Sequence, residues 1–152
     1  ATEKDIPDLM RMIKRHDETV YKGRLKEMQR GEAVQLVAEE EGLLVGQVFL
    51  AYYGKSSYPN FPDIRDLHVV GSKRSQGIGS ELIFVCEHLA VQRGFNTIGL
   101  AVNPELNPRA RLLYQRLGYL TTQDSPYLAG IYDGQEDWVI DMVKKLHVTY
   151  DN

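Results

Sequence analysis

The sequence predicts a mixed α/β fold, and three observations carry that prediction. Helix-like and strand-like apolar periodicities alternate along the chain. Two runs rich in Val, Leu and aromatic residues meet at Glu41-Gly42 as an antiparallel hairpin. A strand over 62–70 passes through a turn containing two glycines into a long apolar helix, the connection that lays a helix against a sheet. With 152 residues, 43% of them hydrophobic and 26% charged, the chain has the length and composition of one globular domain spanning 1–152.

The elements follow in order. Ile6, Leu9, Met10 and Ile13 recur at helical spacing within 2–16, with Thr2 or Asp5 as a cap. A second helical pattern covers 18–31. Residues 33–42 and 43–54 form the hairpin, whose acidic run Glu39-Glu40-Glu41 reads as a solvated tip. The third strand, 62–70, is apolar at Ile64, Leu67 and Val69. In the helix 80–93, Leu82, Val85, Cys86 and Leu89 share one face, and Gly94 closes it. A short buried strand follows at 97–102, then a helix at 105–117 closed by Gly118, and a final strand at 137–146. Segment 120–136 shows no readable motif and reads as loop; no repeat or linker appears.

Several function classes are disfavoured at once. The formal net charge of -3 argues against a nucleic-acid partner. The single Cys86 forms no internal disulfide and lies on the apolar stripe as a core residue, so a reducing, cytoplasmic setting is expected. The longest apolar run, 42–54, contains Gln47 and is shorter than the roughly 20 residues a membrane span needs. His16, His88 and His147 lack metal-ligand spacing, so no metal is expected.

Chemistry concentrates in "RSQGIGS", 74–80. The first turn of a helix leaves backbone N–H groups without partners and carries partial positive charge, so a glycine turn feeding it suits a phosphate. Gly77 and Gly79 let those amides face an anion, and Lys73 and Arg74 add positive charge. The alternative is a tight turn beside a solvated basic surface. Two common nucleotide motifs are absent: a dinucleotide fingerprint needs glycine where Leu82 stands, and a P-loop needs lysine after the second glycine.

"LHVVGSKRSQGIGSELI" (67–83) resembles motif A of the GCN5-related N-acetyltransferases (GNAT), whose Gln/Arg-x-x-Gly-x-Gly/Ala signature matches at Arg74, Gly77 and Gly79. "LAVNPELNPRARLLYQRLGY" (100–119) resembles the same family's motif B at Asn107, Ala110, Leu113, Tyr114, Gly118 and Tyr119. "ATEKDIPDL" and "EDWVIDMVKKL" are similar to the stretch after the family's first strand and to its last strand. The resemblance implies a mixed, largely antiparallel sheet, splayed at its middle strands and flanked by helices on both faces, with the family's first strand missing ahead of Ala1. It also implies acetyl-CoA in the splay: the pyrophosphate on the amides of Gln76, Gly77, Ile78, Gly79 and Ser80, near Arg74; the pantetheine arm on the backbone of His68, Val69 and Val70; and Asn107, Ala110 and Tyr114 beside it. Family members often pair through sheet edges, so a homodimer through the last strand is an expectation.

Transfer of an acetyl group to an amine needs the amine's lone pair, yet an alkylamine with a pKa near ~10.4 is protonated at neutral pH. By resemblance Asp66 lies where family members carry a catalytic carboxylate, and alternation puts it on one face with His68. The other reading pairs Asp66 with Arg65 or Lys73, or leaves it solvated. A backbone N–H near Val69 suits the developing oxyanion, and Tyr114 suits protonation of the leaving thiolate, against a reading of Tyr114 as packing beside Leu113 and Leu117. Tyr52, Tyr53, Tyr58 and Tyr127 either line an acceptor pocket or pack against strands. The expected activity is direct transfer from acetyl-CoA to a primary amine of a small molecule or peptide, with a non-catalytic acyl-CoA-binding module as the alternative.

Overall fold

The structure, a computed structural model, describes residues 3–12, 17–74, 76–122 and 125–147. A 3-10 turn at Glu3–Asp5 leads into α1 (Ile6–Met12) and then α2 (Glu18–Gln29), which starts where the Asp17 carboxylate accepts from the Val20 N–H at 3.2 Å. Ile13 and His16 of the predicted first helix lie outside the described residues. β1 (Ala33–Glu40) and β2 (Leu43–Ala51) form the predicted hairpin, and β3 (Asp63–Val69) pairs with β2. α3 (Ile78–Gln92) and β4 (Thr97–Val102) follow, then α4 (Pro108–Arg116), β5 (Leu120–Thr121), β6 (Tyr127–Tyr132) and β7 (Gln135–Lys145).

The strands make one sheet in the order β1-β2-β3-β4-β7-β5, with β6 on the N-terminal part of β7. Every pairing is antiparallel except β3–β4. Those two parallel strands are in register only at Asp63–Gly99 and Ile64–Leu100, and then part. The expected splay is therefore present, and it begins just before Asp66.

Side-chain alternation sorts the core into two layers. Val48, Leu50, Ile64, Ile98, Leu100, Ile140 and Met142 meet Leu82, Ile83, Cys86 and Ala90 of α3 and Tyr114 of α4. On the opposite face Phe49, Ala33 and Ala51 pack with Met28 of α2, beside a cluster of Ile6, Leu9 and Tyr21. Helices thus cover both faces, as expected.

Several readings are corrected. The stripe of α3 runs through Ile83 and Ala90, while Val85 is 37% exposed: the 3.6-residue period turns that position away from the sheet. Segment 120–136 holds β5 and β6 rather than loop, and β7 starts at Gln135. The signal was Asp133-Gly134, both at positive φ (52° and 77°), the geometry of a two-residue hairpin turn. α4 also begins at Pro108, whose fixed φ suits a first helical position. Among the described residues no helix is long and apolar enough to cross a membrane.

Candidate active site

The site grows from an irregularity in β3. Ile64, Leu67 and Val69 face α3 and α4, a spacing that strict alternation cannot supply. An extra residue is absorbed at Asp66, at φ 54°, where the pairing with β2 slips between Gln47 and Phe49. The bulge keeps Arg65, Asp66 and His68 on the α2 face. Beyond it the register 46–69 and 47–68 resumes, and the Val70 N–H donates to the Val45 carbonyl at 2.9 Å. In an antiparallel ladder the bonded pairs alternate, so Val69 directs its own N–H and C=O toward the splay. His68 and Val70 direct theirs toward β2. Of the three residues expected to meet a pantetheine arm, Val69 alone presents its backbone to the gap, and its carbonyl accepts from Arg74 Nε at 3.1 Å.

After β3 the chain turns through Gly71–Lys73 to Gly77, the N-cap of α3. Gly77 is exposed and left-handed (φ 83°), and nothing lies within 4 Å of where its Cβ would stand. A Cβ on Gly79 would make only ordinary contacts of 3.8–3.9 Å with Leu113, Val69 and Leu67. Gln76 is exposed and Ile78 and Ser80 are half-buried, so the first-turn amides open to solvent beside the splay. Lys73, expected as mobile charge, is bound to Glu40 at 2.8 Å, which gives the acidic hairpin a partner.

On α4, Asn107 is the exposed N-cap, Ala110 is half-buried against the core and Tyr114 is buried at 7% exposure, edge-on to Tyr119 at 6.3 Å. Burial pushes the Tyr114 hydroxyl up to about 12, so it stays protonated at neutral pH. Arg111 Nε, on the same helix, is enclosed without a hydrogen-bond partner among the described residues.

Asp66 does not pair with Arg65 or Lys73. Its Oδ2 meets Arg24 Nη2 of α2 at 2.5 Å, with the two side chains 5% and 11% exposed. Arg24 also lies over the Phe49 ring at 4.4 Å. Arg65 turns instead to Asp63 at 2.6 Å and to the Gly54 carbonyl at 2.8 Å. Burial, then the positive charge of Arg74, holds His68 below the usual imidazole value.

Sequence reasoning missed a polar cluster on the same face. Tyr58 donates to Asp63, and its ring covers Gly99, where a Cβ would come within 2.8 Å of it. Lys55 Nζ bonds Asp141 and the Tyr127 hydroxyl, both at 2.7 Å, and Tyr127 donates to Asp141 at 2.6 Å. Burial opposes the Lys55 charge, but these hydrogen bonds outweigh it and raise its pKa. Asn103 Nδ2 reaches Asp137 at 2.9 Å, tying the end of β4 to β7. Tyr58 and Tyr127 therefore converge beside the splay. Tyr52 packs on the other face under Arg93, and Tyr53 donates to Glu27 at 2.9 Å. Cys86 is core, its thiol pushed up to about 12 by burial.

A cleft between parting parallel strands, an inward backbone N–H and a glycine-capped helix start are thus brought together on one side of the sheet, and comparison with known proteins bears on the class they define. The profile of the Acetyltransferase (GNAT) family matches residues 4–119, and the chain belongs to that family and is an N-acetyltransferase by that membership. The fold is similar to an N-acetyltransferase from Staphylococcus aureus Mu50 (TM-score 0.79, 16% identity, 97% of this chain and 96% of that one). It is also similar to a ribosomal-protein-alanine N-acetyltransferase from Brucella melitensis (0.78, 21%, 96% and 97%). The yncA protein of Salmonella typhimurium, solved with its cofactor acetyl-CoA, is a third neighbour (0.78, 16%, 100% and 94%). No curated protein matches the sequence.

Proposed function

We propose that the protein transfers the acetyl group of acetyl-CoA directly to a primary amine of a small molecule or peptide. The observation that carries this reading is the succession, along one strand–turn–helix unit, of the β3–β4 splay, the Val69 N–H and the open amides at Gly77–Ser80. These residues fit acetyl-CoA: an uncrowded helix start for its phosphates and a strand edge for its pantetheine arm. When bound, acetyl-CoA supplies the thioester carbonyl that the amine attacks.

The chain's own residues do the rest. The Val69 N–H donates to the carbonyl oxygen as negative charge gathers there. The amine arrives from the α2 face and gives its proton through water toward Asp66, whose Oδ2 Arg24 holds in place. Tyr114, neutral at working pH, protonates the departing sulfur. Direct transfer leaves no acetylated protein on the path. Thiol release from acetyl-CoA with an amine panel tests the activity, and mass spectrometry of the protein incubated with acetyl-CoA alone tests the route. An acetylated protein able to pass its acetyl group to an amine would overturn direct transfer. Binding of acetyl-CoA without thiol release for any amine would favour the non-catalytic module.

A further inference from the structure

A groove of about 490 Å³ runs between α2 and β3 on the face from which the acceptor arrives. Arg24, Lys26, Arg30 and Arg65 line it against the single carboxylate of Glu27, a positive lining in a chain of net charge -3. Arg65 and the partner of Arg24, Asp66, are the consecutive residues at which β3 leaves β4. The groove therefore reaches β3 at the residue next to Asp66.

Two features show that it is shaped for an anion. Arg24 Nη1 is enclosed with no hydrogen-bond partner among the described residues, although Nη2 is engaged by Asp66. A buried, charged donor without an acceptor is costly, and a small rotation of the guanidinium toward the groove would let an oxygen anion brought by a ligand satisfy it. Gly23 stands in the groove wall, inside α2, where glycine weakens a helix relative to alanine. No packing requires it, because nothing lies within 4 Å of its absent Cβ. Its effect is to keep the groove open. At the mouth, Arg30 is tied only to Glu32 in an exposed pair, 59% and 45% accessible, and Lys26 has no ion partner among the described residues. Both are available to attract charge.

We propose, resting on the acetyltransferase reading above, that this groove selects an acceptor that carries a carboxylate close to its amine, as a free amino acid or short peptide does. The carboxylate meets Arg24 and the mouth cations, and the amine then lies toward Asp66 and the splay.

The test uses matched acceptors: free amino acids, their carboxamides, and the amines lacking the carboxyl group, followed by thiol release from acetyl-CoA. Loss of one charge-assisted contact should lower kcat/KM about 10-fold or more for the carboxamide and plain amine. Lys26→Gln and Arg30→Gln should each raise KM for the carboxylate acceptor a few-fold and flatten its salt dependence. Gly23→Leu should lower kcat/KM while the thermal midpoint holds or rises, the reverse of what a structural role for the glycine requires. Equal turnover of carboxylate and carboxamide, or turnover of no carboxylate-bearing acceptor while acetyl-CoA still raises the thermal midpoint, overturns the proposal. Failure of acetyl-CoA to bind overturns the acetyltransferase reading instead.

Discussion

Replacing Gly77 with aspartate, with asparagine as its control, isolates the charge requirement at the start of α3. Both substitutions place a side chain at φ 83°, a left-handed conformation that Asn and Asp tolerate better than other residues, and both enter space with nothing within 4 Å. Backbone strain and bulk are therefore nearly matched, and the pair differs by one negative charge. A carboxylate there would stand about 5 Å from an anion on the first-turn amides, a repulsion of ~0.8 kcal/mol per charge at the dielectric of water and ~3 at an effective constant of 20. Against a diphosphate of about two charges, even the solvated limit gives about 1.6 kcal/mol, or about 15-fold in affinity. Calorimetry with acetyl-CoA should show Gly77→Asn within about 10-fold of the parent and Gly77→Asp at least about 15-fold weaker than Gly77→Asn, with the gap narrowing as salt rises. Equal affinity of the two variants would remove the phosphate from this turn.

Tyr114→Phe keeps the ring against Tyr119 and deletes the hydroxyl, so acetyl-CoA affinity should persist while kcat falls by about 10²-fold or more, as loss of a general acid does; steady-state kinetics with unchanged kcat would return Tyr114 to the core. Because burial raises the Tyr114 hydroxyl to about 12 from its ordinary 10.0, its stabilising contribution is complete below pH 10 and declines as pH rises toward 12, by up to about 3 kcal/mol; urea titrations should show a shallower alkaline decline in Tyr114→Phe, and identical slopes would refute the assignment. Arg24→Ala takes the guanidinium from a carboxylate that is 5% exposed and should cost up to about 3–5 kcal/mol, whereas Arg24→Met with Asp66→Asn should recover most of it; denaturant midpoints decide, and a stable Arg24→Ala would show the pair to be slack. Removing the second cause of the low His68 value through Arg74→Gln should raise the imidazole's pKa, read by NMR titration.

The strand–turn–helix around Gly77 and the hairpin at Glu41-Gly42 were legible because the residues that specify them are adjacent: glycines that permit positive φ, followed by an unbroken apolar period. The bulge was passed over in reading 62–70 as an alternating strand. Ile64, Leu67 and Val69 are spaced three and then two apart, which already contradicts a regular strand, but the residue that absorbs the irregularity carries no mark of its own. The partner of Asp66 could not be read at all. Arg24 is 42 positions away on another element, and local reasoning offered Arg65 and Lys73, both of which the fold commits to other carboxylates. β6 was lost for a different reason: "YLAGIY" is mostly exposed, so the burial contrast that identifies a strand is weak there.

The bulge at Asp66 links these features. A regular β3 would keep pairing with β4 through Val69, close the splay and engage the Val69 N–H in the ladder. One extra residue ends the parallel register after Ile64 and swings Asp66 beneath α2, where Arg24 fixes it. The same residue restores Leu67 and Val69 to the α3 face, so the core is not interrupted. An opening that would otherwise expose apolar side chains thus exposes backbone amides instead, and amides are what a carbonyl oxygen and a pantetheine arm can bind. The positive left-handed geometry at a non-glycine residue is the local cost of that arrangement, and the buried ion pair with Arg24 is what holds it.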